Sequence, residues 1–260
     1  MAGSIDNGTV PPPSVSPATA AAQAVAPPAP RSAAPPMNGQ AMAAAAPTDL
    51  AATDAIRDGA GDRSTGAAVR DLAAAEAAAR DFLRALGVTL DHEGRADTPR
   101  RMARAYADLL TPRPFAFTTF PNDAGYDELV LVRDIPIASL CEHHMLPFLG
   151  RAHVGYLPGD RLVGLSKLAR LVERYARGPQ VQERLTTEIT QWLDARLRPR
   201  GVGVVVEAEH LCMTVRGARA TDARTTTYAF LGDLQTDRRL RAEFLGLITP
   251  SLRTLHRSSP

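Results

Sequence analysis

Within six positions the chain runs Ser139-Leu140-Cys141-Glu142-His143-His144, and a second run, Glu207-Ala208-Glu209-His210-Leu211-Cys212, holds the only other cysteine. Each cysteine therefore lies beside a histidine. Cys141 and His144 are three apart, a spacing that lets one turn present both to a metal. His210 and Cys212 are two apart and on a strand would face the same side. Cys141, His144 and Cys212 together make a Cys₂His set, and soft thiolates with an imidazole suit Zn²⁺. Three protein ligands leave the fourth tetrahedral position to water, the arrangement of a catalytic site. Two unrelated thiols with surface histidines would show the same residues. His143 and His210 are then spare imidazoles flanking the metal, each able to transfer protons near neutral pH. His92, His153 and His256 lack such company and read as ordinary.

Two further groups could recognise a ligand. Gly164-Leu165-Ser166-Lys167-Leu168-Ala169-Arg170 places a hydroxyl, an amine and backbone N–H groups at a helix start, which suits an anion. Arg170 adds charge there, and Arg216, four residues beyond Cys212, could join. A capped helix with a solvated basic face is the alternative. Of the 30 basic residues only Lys167 is lysine. Gln182-Glu183 stands at another helix start. A carboxylate there can accept from the N1–H and 2-amino group of a purine edge, although most such pairs are simply exposed.

The elements that must position these residues follow from periodicity. A helix is expected near 66–86, with Val69, Leu72, Ala75, Ala79, Phe82 and Leu86 at three- and four-residue steps and Gly87 as its stop. Thr98-Pro99 starts a second helix, Thr98 capping it. Residues 128–137 and 151–157 read as strands; in the latter Ala152, Val154 and Tyr156 alternate with Arg151, His153 and Gly155. Ser166 caps a helix that Gly178-Pro179 ends, and another spans about 180–197. Strands at 202–209, 211–216 and 224–231 and a helix at 237–248 complete the order. Strands in adjacent pairs argue for an α+β fold with an antiparallel β-β-α-α-β-β unit behind N-terminal helices.

Composition bounds the rest. Residues 1–50 hold 15 Ala and 10 Pro, and no aromatic precedes Phe82. Residues 1–65 are expected to be a disordered arm, because they offer too little apolar surface to offset ordering entropy. Residues 66–255 remain for one folded domain with a single sizeable core. No run approaches the ~18 apolar residues of a membrane helix. The first residues lack a basic stretch followed by an apolar one, so no secretory signal is expected. Two cysteines are no disulfide framework and suit a reducing compartment. A net charge of +2 does not mark a nucleic-acid binder.

Taken together, SLCEHHMLPF at 139–148, AHVGYLPG at 152–159, GLSKLARLVE at 164–173, QVQERLT at 180–186 and GVGVVVEAEHLCMTVRG at 201–217 resemble the GTP cyclohydrolase I family. EGRADTPRRMARAY at 93–106 resembles its N-terminal signature. The resemblance covers about residues 67–250. It implies the tunnelling fold, a toroidal homodecamer with active sites between subunits, and a cytoplasmic enzyme with one Zn²⁺ per subunit and neither nucleic-acid nor membrane partner. It implies hydrolysis of GTP by water to 7,8-dihydroneopterin triphosphate and formate, the first step towards tetrahydrofolate and other pterins. Zinc ligands fall on Cys141, His144 and Cys212, and catalytic positions on His143, His210 and Ser166. Lys167, Arg170 and Arg216 match triphosphate- or ribose-side positions, and Gln182 and Glu183 match guanine contacts. Tyr228, where a small hydroxyl is common, and Gly178, in place of a frequent Arg, are departures. Two rival readings are a tunnelling-fold enzyme acting on a pterin or deazapurine, and a non-catalytic assembly protein on the same scaffold. The Cys₂His set disfavours relatives that use a nucleophilic Cys without metal or three His ligands. Retention of His143, His210, Gln182 and Glu183 disfavours the assembly protein.

Overall fold

The computed structural model describes residues 70–255. The arm expected at 1–65, Val69 and His256 lie outside them. Helix α1 (Leu72–Ala85) starts later than its periodicity suggests, because Asp71 caps it by accepting from the Ala74 N–H at 2.9 Å. Gly87, at φ 77°, ends it as expected. A single turn, α2 (Glu93–Ala96), precedes α3 (Thr98–Leu110). Asp97, not Thr98, is the N-cap of α3, and Pro99 occupies its first turn, where a missing N–H costs nothing. Of the expected apolar face of α1 only Ala79 is buried; Leu72, Phe82 and Leu86 are exposed.

Beyond α3 come β1 (Thr119–Pro121), β2 (Val130–Cys141), β3 (Pro147–Leu157) and β4 (Arg161–Val163). Helix α4 (Leu165–Ala176), β5 (Pro179–Gln180) and α5 (Gln182–Leu197) follow. The chain closes with β6 (Gly201–His210), α6 (Leu211–Thr214), β7 (Thr225–Gly232), α7 (Asp233–Thr236) and α8 (Arg238–Leu255). The long elements reproduce the expected β-β-α-α-β-β order. Three local expectations fail. Residues 211–216 form no strand, since the chain turns into α6 once β6 ends. Ser166 does not cap α4; Gly164 does, leaving Ser166 inside the first turn. The sheet is not purely antiparallel, because β5 joins β2 in parallel.

The main sheet has the order β5-β2-β3-β6-β7. On one face α4 and α5 bury Leu168, Leu171, Leu185, Ile189 and Leu193 against Ala152, Val154, Tyr156, Val202, Val204 and Val206. Each aliphatic side chain sealed this way contributes about 1.5–3 kcal/mol. The Tyr156 hydroxyl accepts from the Val163 N–H at 3.1 Å, tying β4 to this core. The opposite face, read from the β3 alternation as the polar one, is also covered. There Leu157, Val205 and Phe230 meet Leu234, Phe244 and Ile248. Gly155 and Gly203 pair across β3 and β6. A Cβ on either would come within 3.0 Å of an aromatic ring, that of Phe244 or Phe230, so glycine is what admits the close approach of α8.

Candidate active site and metal centre

Strand β2 ends on Cys141, and the chain reverses at once. The His144 and Met145 N–H groups donate back to the Cys141 carbonyl at 3.3 and 2.8 Å, and the Cys141 N–H donates to the Leu146 carbonyl at 2.9 Å. Met145 takes a left-handed φ of 53° to close the turn. Glu142, His143 and His144 therefore form the tip of the β2–β3 hairpin. The Tyr106 hydroxyl of α3 donates to the Met145 carbonyl at 3.1 Å and pins this tip from outside.

Phe148 at the start of β3 stands opposite His210 at the end of β6. That register delivers α6, and Cys212 with it, to the hairpin. The ligand atoms of Cys141, His144 and Cys212 all lie within 4.8 Å of one another. Cys141 Sγ is 3.7 Å from His143 Nδ1 and 3.8 Å from His144 Nδ1. Burial, and then the neighbouring Cys141, push the Cys212 thiol above its ordinary value; Arg216 opposes them. Two adjacent thiols, one of them held from ionising, joined by an imidazole, are what a soft dication relieves. The donor set therefore fits zinc.

The parallel pairing of β5 with Leu140 and Cys141 brings the N-terminus of α5 to the same place. Glu183 is exposed there, and its charge acts on His210. Burial lowers the His210 pKa, partly offset by Glu183. The imidazole of His210 lies on the Phe148 ring, centroids 4.7 Å apart and planes 13° from parallel. Gln182 is buried, with 1% of its surface exposed. Its amide bonds to His210, Val206, Thr225 and Thr227.

The anion cluster lies elsewhere in the chain. Helix α4 ends at Ala176, just before Pro179 pairs with Leu140, so its C-terminal end is the one beside the cysteines. Ser166 and Lys167 sit about 15 Å back along the helix. Arg170 lines a separate cleft of ≈ 330 Å³ between α4 and β2, with Arg113, Arg177 and Glu173. The fold thus unites Cys141, His143, His144, His210, Cys212, Gln182 and Glu183 within one chain. It places Ser166, Lys167 and Arg170 apart. Arg216 is exposed beyond α6, near Cys212.

Sequence reasoning missed the supports. Arg184 donates to Glu142 and, at 2.9 Å, to Gln180 Oε1, joining α5 to the hairpin tip. Gln180 Nε2 in turn donates to Glu188 at 2.8 Å. Arg184 and Phe148 both stand inside the motifs quoted above, but nothing in their types marks a supporting role. His92 caps α2 by accepting from Gly94 at 3.1 Å.

The chain matches the family model described as GTP cyclohydrolase I over residues 75–249. It is 54% identical over 185 residues to the GTP cyclohydrolase 1 of Mycolicibacterium vanbaalenii, covering 68% of this chain and 91% of that protein. The GTP cyclohydrolase 1 of Mycobacterium leprae is 53% identical over 187 residues, 69% of this chain and 90% of the relative. Among solved structures, the apo archaeosine synthase QueF-Like overlaps 40% of this chain and 93% of its own, at 17% identity and a TM-score of 0.33. Among the described residues, no helix is long and apolar enough to cross a membrane.

Proposed function

Because the chain belongs to the GTP cyclohydrolase I family and is an enzyme of that kind, we propose that it hydrolyses GTP to 7,8-dihydroneopterin triphosphate and formate. The reading places it in the cytoplasm, at the first step of tetrahydrofolate and pterin synthesis. The observation that carries it is the convergence of Cys141, His144 and Cys212 within 4.8 Å, flanked by His143 and His210. Zn²⁺ on those three ligands supplies the Lewis acidity that makes water a competent nucleophile at neutral pH.

The chain's own side chains do the rest. Glu183 accepts from the guanine N1–H and 2-amino group and orients C8 towards the cysteines. Water adds to C8 while His143 delivers a proton to N7, and the imidazole ring opens to a formamide. A second water releases C8 as formate and leaves a free amine. Ser166, with His143 and His210 as further carriers, moves protons during the Amadori-type rearrangement of the ribose. The amine then condenses with the new carbonyl, expelling one water, so two waters enter and one leaves. Lys167, Arg170 and Arg216 hold the triphosphate.

Since Ser166, Lys167 and Arg170 lie apart from the cysteines within one chain, the complete site is assembled between subunits of a toroidal homo-oligomer, a decamer. The exposed apolar side chains Leu72 and Phe82 on α1 and Leu86 at its C-cap support such an assembly. Residues 66–255 act as the catalytic domain, with the preceding arm outside it.

The test is formate release from GTP by the purified protein, with zinc content measured alongside. About one Zn²⁺ per chain, lost in Cys141→Ala or Cys212→Ala, and one formate per pterin are expected. Full activity after rigorous metal removal, or no formate, would overturn the reading.

A further inference from the structure

The amide of Gln182 faces two different environments. One end lies 3.1 Å from the Val206 carbonyl, 2.9 Å from the Thr225 carbonyl and 3.2 Å from Thr227 Oγ1. Carbonyls only accept, so that end is the NH₂ group, its two N–H bonds shared among three acceptors. The hydroxyls agree. Thr186 donates to the Gln182 carbonyl at 2.8 Å, so Thr227 is the donor in the 2.6 Å contact with Thr186 and is free to accept from Gln182. The circuit closes with every proton placed. Reversing the amide would set an oxygen against two carbonyls.

The other end of the amide is therefore Oε1, 2.7 Å from His210 Nε2. An amide oxygen only accepts, so His210 Nε2 carries a proton. In the neutral ring Nδ1 then holds the lone pair. Phe148, stacked at 13°, sets the tilt of the ring, and Gln182 sets its rotation within that plane.

We propose that Gln182 is a positioning residue that fixes the orientation and tautomer of His210, rather than a side chain that reads the base. The inference rests on the reading of His210 as a catalytic histidine of the GTP reaction. Turning the Gln182 side chain outward to a purine would strip partners from Val206, Thr225, Thr227 and His210 together. The exposed Glu183 beside it is the group free to read the guanine edge.

The test begins with formate release by the wild-type protein, whose absence would sink the functional reading and leave the ring assignment open to direct measurement. Solid-state ¹⁵N spectra of the zinc-loaded full chain, labelled at histidine, are compared with those of His210→Asn to identify the His210 signals. A proton bonded to Nε2 and an unprotonated Nδ1 are expected at pH 8; the reverse tautomer would overturn the proposal. Gln182→Met, close in shape but unable to accept or donate strongly, should lower kcat about 10- to 100-fold. Its KM for GTP should stay within about threefold, and its preference for GTP over inosine triphosphate should be unchanged. A raised KM with kcat kept, or a lost preference for GTP, would assign Gln182 to the base instead. If Gln182→Met does not fold, the wild-type spectrum decides.

Discussion

Phe148 and His210 are paired across β3 and β6 and stack almost face to face, ring centroids 4.7 Å apart. The fully buried Phe148 is thus the floor on which a half-buried histidine rests. Phe148→Leu keeps an apolar filler but removes the flat face. It should cost about 1–2 kcal/mol of stability in denaturant melts, well below the ~3–5 kcal/mol of Phe→Ala. Its kcat should fall more than that stability loss explains. A variant with unchanged kcat would mean that the stack is packing alone.

Arg184 spans from α5 to Glu142 at the hairpin tip and to Gln180. Lysine keeps the charge but has no planar fork with which to serve two acceptors. Arg184→Lys is expected to weaken zinc retention about 10-fold against a competing chelator, with the KM for GTP little changed. Equal retention would show that charge suffices at this position.

His153 is fully buried on β3, and its Nδ1 accepts from the Asp134 N–H at 3.3 Å. Burial lowers its pKa first of all; Asp134 opposes this, while Arg133 and Arg151 add to it. The unfolded chain, with an ordinary value of about 6.5, then binds more protons than the folded one below neutrality. Stability from this group is complete above pH 6.5 and declines as pH falls through the window beneath it. The melting temperature should drop from pH 7.5 to 5.5, and His153→Gln, which can still accept from Asp134, should flatten that drop. An undiminished slope in the variant would place the acid sensitivity elsewhere.

Lys167 is the only lysine of the chain and lies in the first turn of α4, half-buried. In the triphosphate site proposed between subunits, a compact ammonium would fit where a broader guanidinium would not. Lys167→Arg should therefore lose about tenfold in kcat/KM, roughly 1.4 kcal/mol, with zinc content unchanged. Near-wild-type kinetics would reduce its role to charge.

The Cys-His-Cys cluster that could hold a metal was legible in the sequence because the chain has only two cysteines, each with a histidine close by, although Cys212 lies in the short helix α6 and not on the strand expected there. The ββααββ order was legible because α4 carries a strong helical period and β3 alternates apolar residues (Ala152, Val154, Tyr156) with Arg151, His153 and Gly155. The second covered face of the sheet was not. His153 and Glu207 alternate with apolar neighbours as solvent-facing residues would, yet both are buried, on the sheet face that α8 partly covers. Residues 211–214 alternate well enough to read as strand, yet the register of β6 ends at His210 and the chain must turn. Gln182 read either as an exposed helix-start residue or, by resemblance, as a guanine contact, and neither anticipates its burial. Its inward turn depends on Thr225 and Thr227, more than forty residues away, which no local pattern announces.

The two-rung ladder between β2 and β5, Leu140 with Pro179 and Cys141 with Gln180, acts as a gauge block. Three residues after its second rung comes Glu183, and on its other side is Cys141. On the proposed reading the substrate purine is a rigid bicycle with its reactive C8 and its 2-amino edge at opposite ends, so the distance between the Cys-His-Cys cluster and Glu183 would have to be held constant. Slipping the ladder by a single rung would change that distance by about 3.3 Å and turn the side chains to the other face. A one-residue insertion at Arg177-Gly178 would therefore leave every chemical group present and mis-set the instrument, a defect of length in which no functional atom is missing.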